Sequence, residues 1–134
     1  MENNSNVEAR YTERLIGTET VEITYDEALE ILADELDMSS FGSVNEAILA
    51  VGITAVLVTI KDELKQRVVE TLSLVTSIII AIKEAIDNSD FTSQCRQLEP
   101  GKKLVCTINN YEWLSGSGNH TAYFSETSYE IVNE

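Results

Sequence analysis

Between Glu46 and Lys61 the fourteen residues 47–60 carry no charge, and between Glu70 and Lys83 a second uncharged block covers residues 71–82. A chain of net charge −14 has thus gathered its apolar character into two adjacent segments. Each is shorter than the roughly 18 to 20 apolar residues that a bilayer-crossing helix needs, and the connector Lys61-Asp62-Glu63-Leu64-Lys65-Gln66-Arg67 is too charged to sit at mid-membrane. They are not expected to be ordinary transmembrane spans. Segments this apolar must still be covered by the rest of the chain, by other copies, by a partner or by lipid, and which of these applies is the functional question.

The 134 residues suffice for one domain that buries a core without metals or many disulfides. The expected organisation is a disordered polar start over residues 1–10 and a single domain over 11–134, helical over about 25–88 and a β-hairpin over about 102–132. With 23 acidic against 9 basic residues, direct nucleic-acid binding is not expected, because a phosphate backbone rewards Lys and Arg. Attraction to an anionic membrane is disfavoured on the same ground, which leaves membrane contact open but not preferred. A basic protein partner fits the charge, and so does plain solubility. Residues 1–10 show no basic stretch followed by an apolar one, so no signal peptide is visible; the protein is cytosolic or was secreted after a leader was removed.

Two helix starts use the same device. Thr24-Tyr25-Asp26-Glu27 reads as a capping box, in which hydroxyl and carboxylate each satisfy a free backbone donor, and Ala28, Leu29, Ile31, Leu32 and Leu36 then recur at helical spacing to about Met38. After the break Ser39-Ser40-Phe41-Gly42, Ser43-Val44-Asn45-Glu46 repeats the pattern ahead of the first apolar block. No Gly, Pro or Asn interrupts residues 61–86, where Leu64, Val68, Leu72, Val75, Ile79, Ile82 and Ile86 form a near-heptad stripe. One rod over residues 43–87 would be about 66 Å long, so a compact monomer needs a bend near residues 61–66, whereas a straight rod needs other copies to cover its stripe. A rival reading makes residues 52–60 and 74–82 parallel strands joined by a helix over 61–73; it ranks second, because Lys83-Glu84-Ala85-Ile86 continues a helix.

The ends of the chain read differently. Val21 and Ile23 alternate with Glu22 and Thr24 behind the turn residue Gly17, which suggests a short strand or an irregular lead-in over residues 11–24. Past Pro100-Gly101, alternation over residues 103–114, a flexible turn at 115–119 and a β-rich stretch over 120–132 predict a hairpin, with Val105, Trp113, Tyr123, Phe124, Tyr129 and Ile131 supplying apolar contacts. The fold class is therefore α+β and predominantly helical: an amphipathic helix, two apolar helices as a hairpin or one long rod, then a C-terminal β-hairpin.

The inventory for catalysis is thin. His120 has no acid or cysteine beside it, Gly116-Ser117-Gly118 lacks the Lys and the strand-to-helix context of a phosphate loop, and no spacing suits a metal, so no enzyme, cofactor or metal site is expected. The sequon Asn119-His120-Thr121 matters only in a eukaryotic secreted protein. Cys95 and Cys106 flank Pro100-Gly101, a turn that could bring their sulfurs together, so a disulfide and a pair of small, half-buried thiols both stand open.

Interaction features are stronger. Ala47, Ala50, Gly52 and Ala55 are small residues that let helices approach closely, and Leu72, Val75, Ile79, Ile82 and Ile86 supply the apolar stripe. The first expectation is a non-enzymatic protein acting through this apolar helical surface, by self-association or by engaging a partner or a membrane. The alternative is an acidic module or inhibitor that occupies a basic, nucleic-acid-binding site on a target protein, using Glu27, Glu30, Asp34, Glu35 and Asp37.

Overall fold

The strands that build the sheet come from opposite ends of the sequence. In a computed structural model of the chain, which describes residues 11–36, 41–115 and 121–134, strand β1 (Tyr11–Thr24) pairs antiparallel with β2 (Lys102–Ser115), and β2 pairs antiparallel with β3 (Thr121–Asn133). The order is β1-β2-β3, with β2 in the centre. The C-terminal hairpin is thus present, and residues 11–24 form a full strand rather than a short lead-in. Register opposes Val21 and Tyr129 to Cys106, and Ile23 and Ile131 to Leu104. Because side chains alternate, these residues and Ile108 share one face, and that face is the sheet's side of the core. An extra residue at Ile16 shifts the β1 register between Leu15 and Gly17 and turns Leu15 to oppose Tyr111. Of the residues expected to supply hairpin contacts, Tyr129 and Ile131 lie on the core face, while Val105, Trp113 and Phe124 lie on the opposite, more exposed face.

Among the described residues five helices connect β1 to β2: α1 (Tyr25–Glu35), α2 (Val44–Val51), α3 (Ile53–Thr71), α4 (Thr76–Asp87) and the short α5 (Thr92–Arg96). Helix α1 begins as its sequence predicts. The Glu27 N–H donates to Thr24 Oγ1 at 3.1 Å and the Thr24 N–H donates to Glu27 Oε1 at 2.9 Å, the reciprocal pair of a capping box. At the start of α2 the Glu46 N–H donates to Ser43 Oγ at 3.0 Å, and the Glu46 carboxylate reaches back to the Gly42 N–H at 2.6 Å, one residue earlier than a closed box requires.

The long rod does not form. Gly52, at φ +94° and ψ 149°, separates α2 from α3 in a backbone region that side chains avoid, and the residues between Thr71 and Thr76 run extended from Leu72 to Val75 before α4 begins. The bend lies at residues 72–75 and not at 61–66, and the stretches 53–60 and 76–82 are helical, so the parallel-strand reading is corrected as well. Bending there has a physical cause. Leu64 and Val68 are fully buried, and so are Ile82 and Ile86. In a straight helix Ile82 would lie about 21 Å beyond Val68, past the sheet that both must cover. Turning the chain lets α4 run back along α3: the Lys65 Nζ meets Asp87 at 2.7 Å, and the Lys61 Nζ donates to the Ser89 carbonyl at 2.8 Å, next to the negative end of α4.

Between the layers lie Ile23, Leu32, Ile60, Leu64, Ile82, Ile86, Phe91, Leu104 and Ile108, all fully or almost fully buried. Each large aliphatic or aromatic residue buried this way contributes on the order of 1.5–3 kcal/mol of transfer free energy. Arg67 ties the layers at their edge. Its guanidinium donates to the Glu22 carbonyl at 2.6 Å, to Glu63 at 2.9 Å and to Glu27 at 3.0 Å, joining β1, α3 and the start of α1.

Candidate functional site

The residues singled out as an interaction surface divide between inside and outside. Ala47, Ile82 and Ile86 are buried in the core, so they hold the fold and offer nothing to a partner. Ala55, Leu72 and Ile79 are half-buried, whereas Ala50, Gly52 and Val75 are exposed. Sequence periodicity placed all of these on helical stripes, but only the bend at residues 72–75 decides which side of each stripe meets the sheet.

Several large apolar side chains remain uncovered on the helices. Leu49 on α2 is 86 % exposed, Val75 59 %, Ile80 52 % and Val69 48 %. Three of these, together with half-buried Leu72, Leu74 and Ile79, surround the turn between α3 and α4. The turn lies inside the uncharged block of residues 71–82, with exposed Glu70 beside Val69 at its margin. Such a patch costs free energy in water unless something covers it.

The acidic set does not act as one face. Glu27 is spent inside the molecule: the Thr24 N–H, then Arg67, hold its carboxyl below the ordinary range. Glu30, Asp34 and Glu35 are exposed on α1, and Asp37 lies outside the described residues. Residues 1–10, His120 and the first two residues of the sequon also lie outside them.

The disulfide is corrected. Cys95 sits in α5 and Cys106 in β2, both buried and both free, with no close pairing. The Pro100-Gly101 turn does reverse the chain, but it aligns Cys106 with Val21 and Tyr129 in the sheet while Cys95 packs among the helices. Burial pushes the Cys95 thiol up to about 11 and the Cys106 thiol up to about 12. Neither has the low pKa or the access of a reactive thiolate.

A further feature escaped sequence reasoning. A groove of about 830 Å³ opens between α4 and β3, lined by Ala81, Glu84 and Ala85 on the helix and by residues 124–129 on the strand. At its end the Ser89 and Tyr129 hydroxyls lie 2.7 Å apart, and Tyr129 stacks at a tilt on Phe91 with ring centroids 4.8 Å apart. Beneath the strand the Ser125 hydroxyl donates to the buried Asn110 Oδ1 at 2.7 Å. No local signal announces this groove, because it depends on a helix and a strand about forty residues apart in the chain.

Among the described residues no group of three or more His, Cys, Asp and Glu could hold a metal, and no helix is long and apolar enough to cross a membrane. Comparison with protein-family models, with curated proteins and with solved structures finds no match.

Proposed function

We propose that the chain is a non-enzymatic binding protein that associates with copies of itself through the two apolar helices, at the uncovered surface around the α3–α4 turn. One observation carries this reading: Val69, Val75 and Ile80 stand about half exposed or more around a segment that bears no charge. Two copies of a chain with net charge −14 repel each other over most approaches. Apposition at residues 71–82 keeps the carboxylates apart while removing apolar area from water. Added salt, which screens charges beyond about 8 Å at physiological strength, should therefore favour association.

Light scattering across a range of protein and salt concentrations tests the reading. The expected result is a mass above that of the monomer that rises with salt and falls to the monomer in a Val75→Glu, Ile80→Glu double variant. A wild-type monomer at all concentrations refutes self-association; if that monomer also releases dye from liposomes or binds a partner through the same residues, the surface stands but its occupant is different. A second reading, an acidic module occupying a basic site on a target, draws on the exposure of Glu30, Asp34 and Glu35 along α1. Its signature is a heterologous affinity that weakens steeply with salt, the opposite dependence.

A further inference from the structure

Among the described residues β3 is hydrogen-bonded to β2 on one side only, so its thirteen residues form a sheet edge. Part of that edge is sheltered. Six successive residues, 124–129, line the groove beside α4. Side chains of successive strand residues point to opposite faces, so a groove lined by an unbroken run of them reaches the strand's edge, and Asn109 of β2 in its lining extends it onto the outer face. On the helix side the groove is lined by Ala81, buried, and by Ala85, half-buried, one turn apart. Strands in a sheet lie about 4.8 Å apart, and six residues of β3 give an added strand about 20 Å of edge to follow.

Charge selects the occupant. Glu84, Asp90 and Glu126 line the groove, and among the described residues no Lys or Arg does. Lys61 donates to the Ser89 carbonyl and acts on Asp90, so the carboxylates left without a cation are those of Glu84, on the helix, and Glu126, on the sheet's outer face beside Tyr111. We infer that the groove between α4 and β3 binds an extended polypeptide segment of another protein that carries Lys or Arg, adding it to β3 as a fourth strand. Main-chain bonds to β3 supply the affinity, and the two carboxylates select basic side chains. A second copy of β3 is a poor occupant, because it would bring its own Glu126 and Glu130 against them. The inference goes beyond self-association at the α3–α4 turn and uses a separate surface, so the Val75→Glu, Ile80→Glu double variant should abolish the one and leave the other intact.

The probe is a synthetic peptide of about nine residues alternating lysine with valine, a length within the usual range for a strand. Three companions accompany it: the same peptide with glutamate for lysine, a scrambled peptide that groups the lysines, and the lysine peptide N-methylated throughout its backbone. Binding is read by fluorescence anisotropy and by amide shifts in the full chain. The lysine peptide should bind and move the amides of residues 124–129 and of Ala85, the glutamate peptide should not bind, and N-methylation should weaken binding at least about tenfold by removing the ladder donors. Glu126→Lys, an exposed substitution, should weaken it about tenfold with the fold unchanged by circular dichroism, and Ala85→Phe should do the same by filling the groove. Undetectable binding, equal binding of the N-methylated peptide, or shifts that map elsewhere would each overturn the inference.

Discussion

Replacing Arg67 by methionine removes a guanidinium that three elements share while keeping the apolar stem that packs beneath it. The side chain is 20 % exposed, and its partners Glu27 and Glu63 are 42 % and 27 % exposed. Both carboxylates can turn to water when the cation is lost, so each ion pair contributes only about 0.5–1 kcal/mol. The Glu22 carbonyl loses a charge-assisted bond of 2.6 Å, for about 1 kcal/mol more. The sum is about 2–3 kcal/mol, or a fall of about 7–11 °C in Tm for a domain of this size. Urea denaturation should show the midpoint falling at constant m. In a double-mutant cycle with Glu27→Gln, which keeps an acceptor for the Thr24 N–H but removes the charge, the coupling should be about 0.5–1 kcal/mol. The pH dependence follows. The native carboxyl of Glu27 titrates below its unfolded value of 4.5, so its contribution is present above that pH and is lost as pH falls through the native value. Arg67→Met should flatten this acid limb. A variant within about 0.5 kcal/mol of wild type, with the acid limb unchanged, refutes the claim that Arg67 joins the two layers.

Three further outcomes are expected. Ile82→Ala should cost about 2–4 kcal/mol, because a fully buried side chain leaves a cavity, whereas Leu49→Ala should cost under about 0.5 kcal/mol; thermal denaturation separates them, and equal losses contradict the assigned burial. Gly52→Ala should destabilise by about 1–3 kcal/mol although no atom lies within 4 Å of the added carbon, because the penalty is in the backbone at φ +94°; a neutral result by urea denaturation contradicts that backbone geometry. Cys95 and Cys106 should resist alkylation until the chain unfolds. Their native pKa values lie above the unfolded ones, so the stability they contribute is fully present below about pH 8.5 and declines as pH rises toward 11–12, and rapid labelling of the native protein would contradict their burial.

Local chemistry was the legible part of this chain. Thr24 and Glu27, and Ser43 and Glu46, mark helix starts because the groups involved are three residues apart, and the alternation of Leu104, Cys106 and Ile108 with Lys103, Val105 and Thr107 marks a strand for the same reason. What depends on distant partners was hidden. Strand β1 finds its ladder about ninety residues downstream, and the extra residue at Ile16 breaks the alternation that would have announced its full length. The bend at residues 72–75 has no Gly or Pro to signal it; it forms because Leu64, Val68, Ile82 and Ile86 must all reach one sheet. For that reason the interaction stripe divided into core residues and exposed ones, and the groove beside β3 left no trace in the sequence.

Sedimentation velocity of the wild type and of Val75→Glu, Ile80→Glu, in parallel at low and high salt, tests the central claim most directly. Self-association at the uncharged turn predicts a wild-type coefficient that climbs with concentration and salt, against a variant that stays monomeric while unfolding at the same temperature. A wild type and a variant that sediment alike under every condition would contradict it.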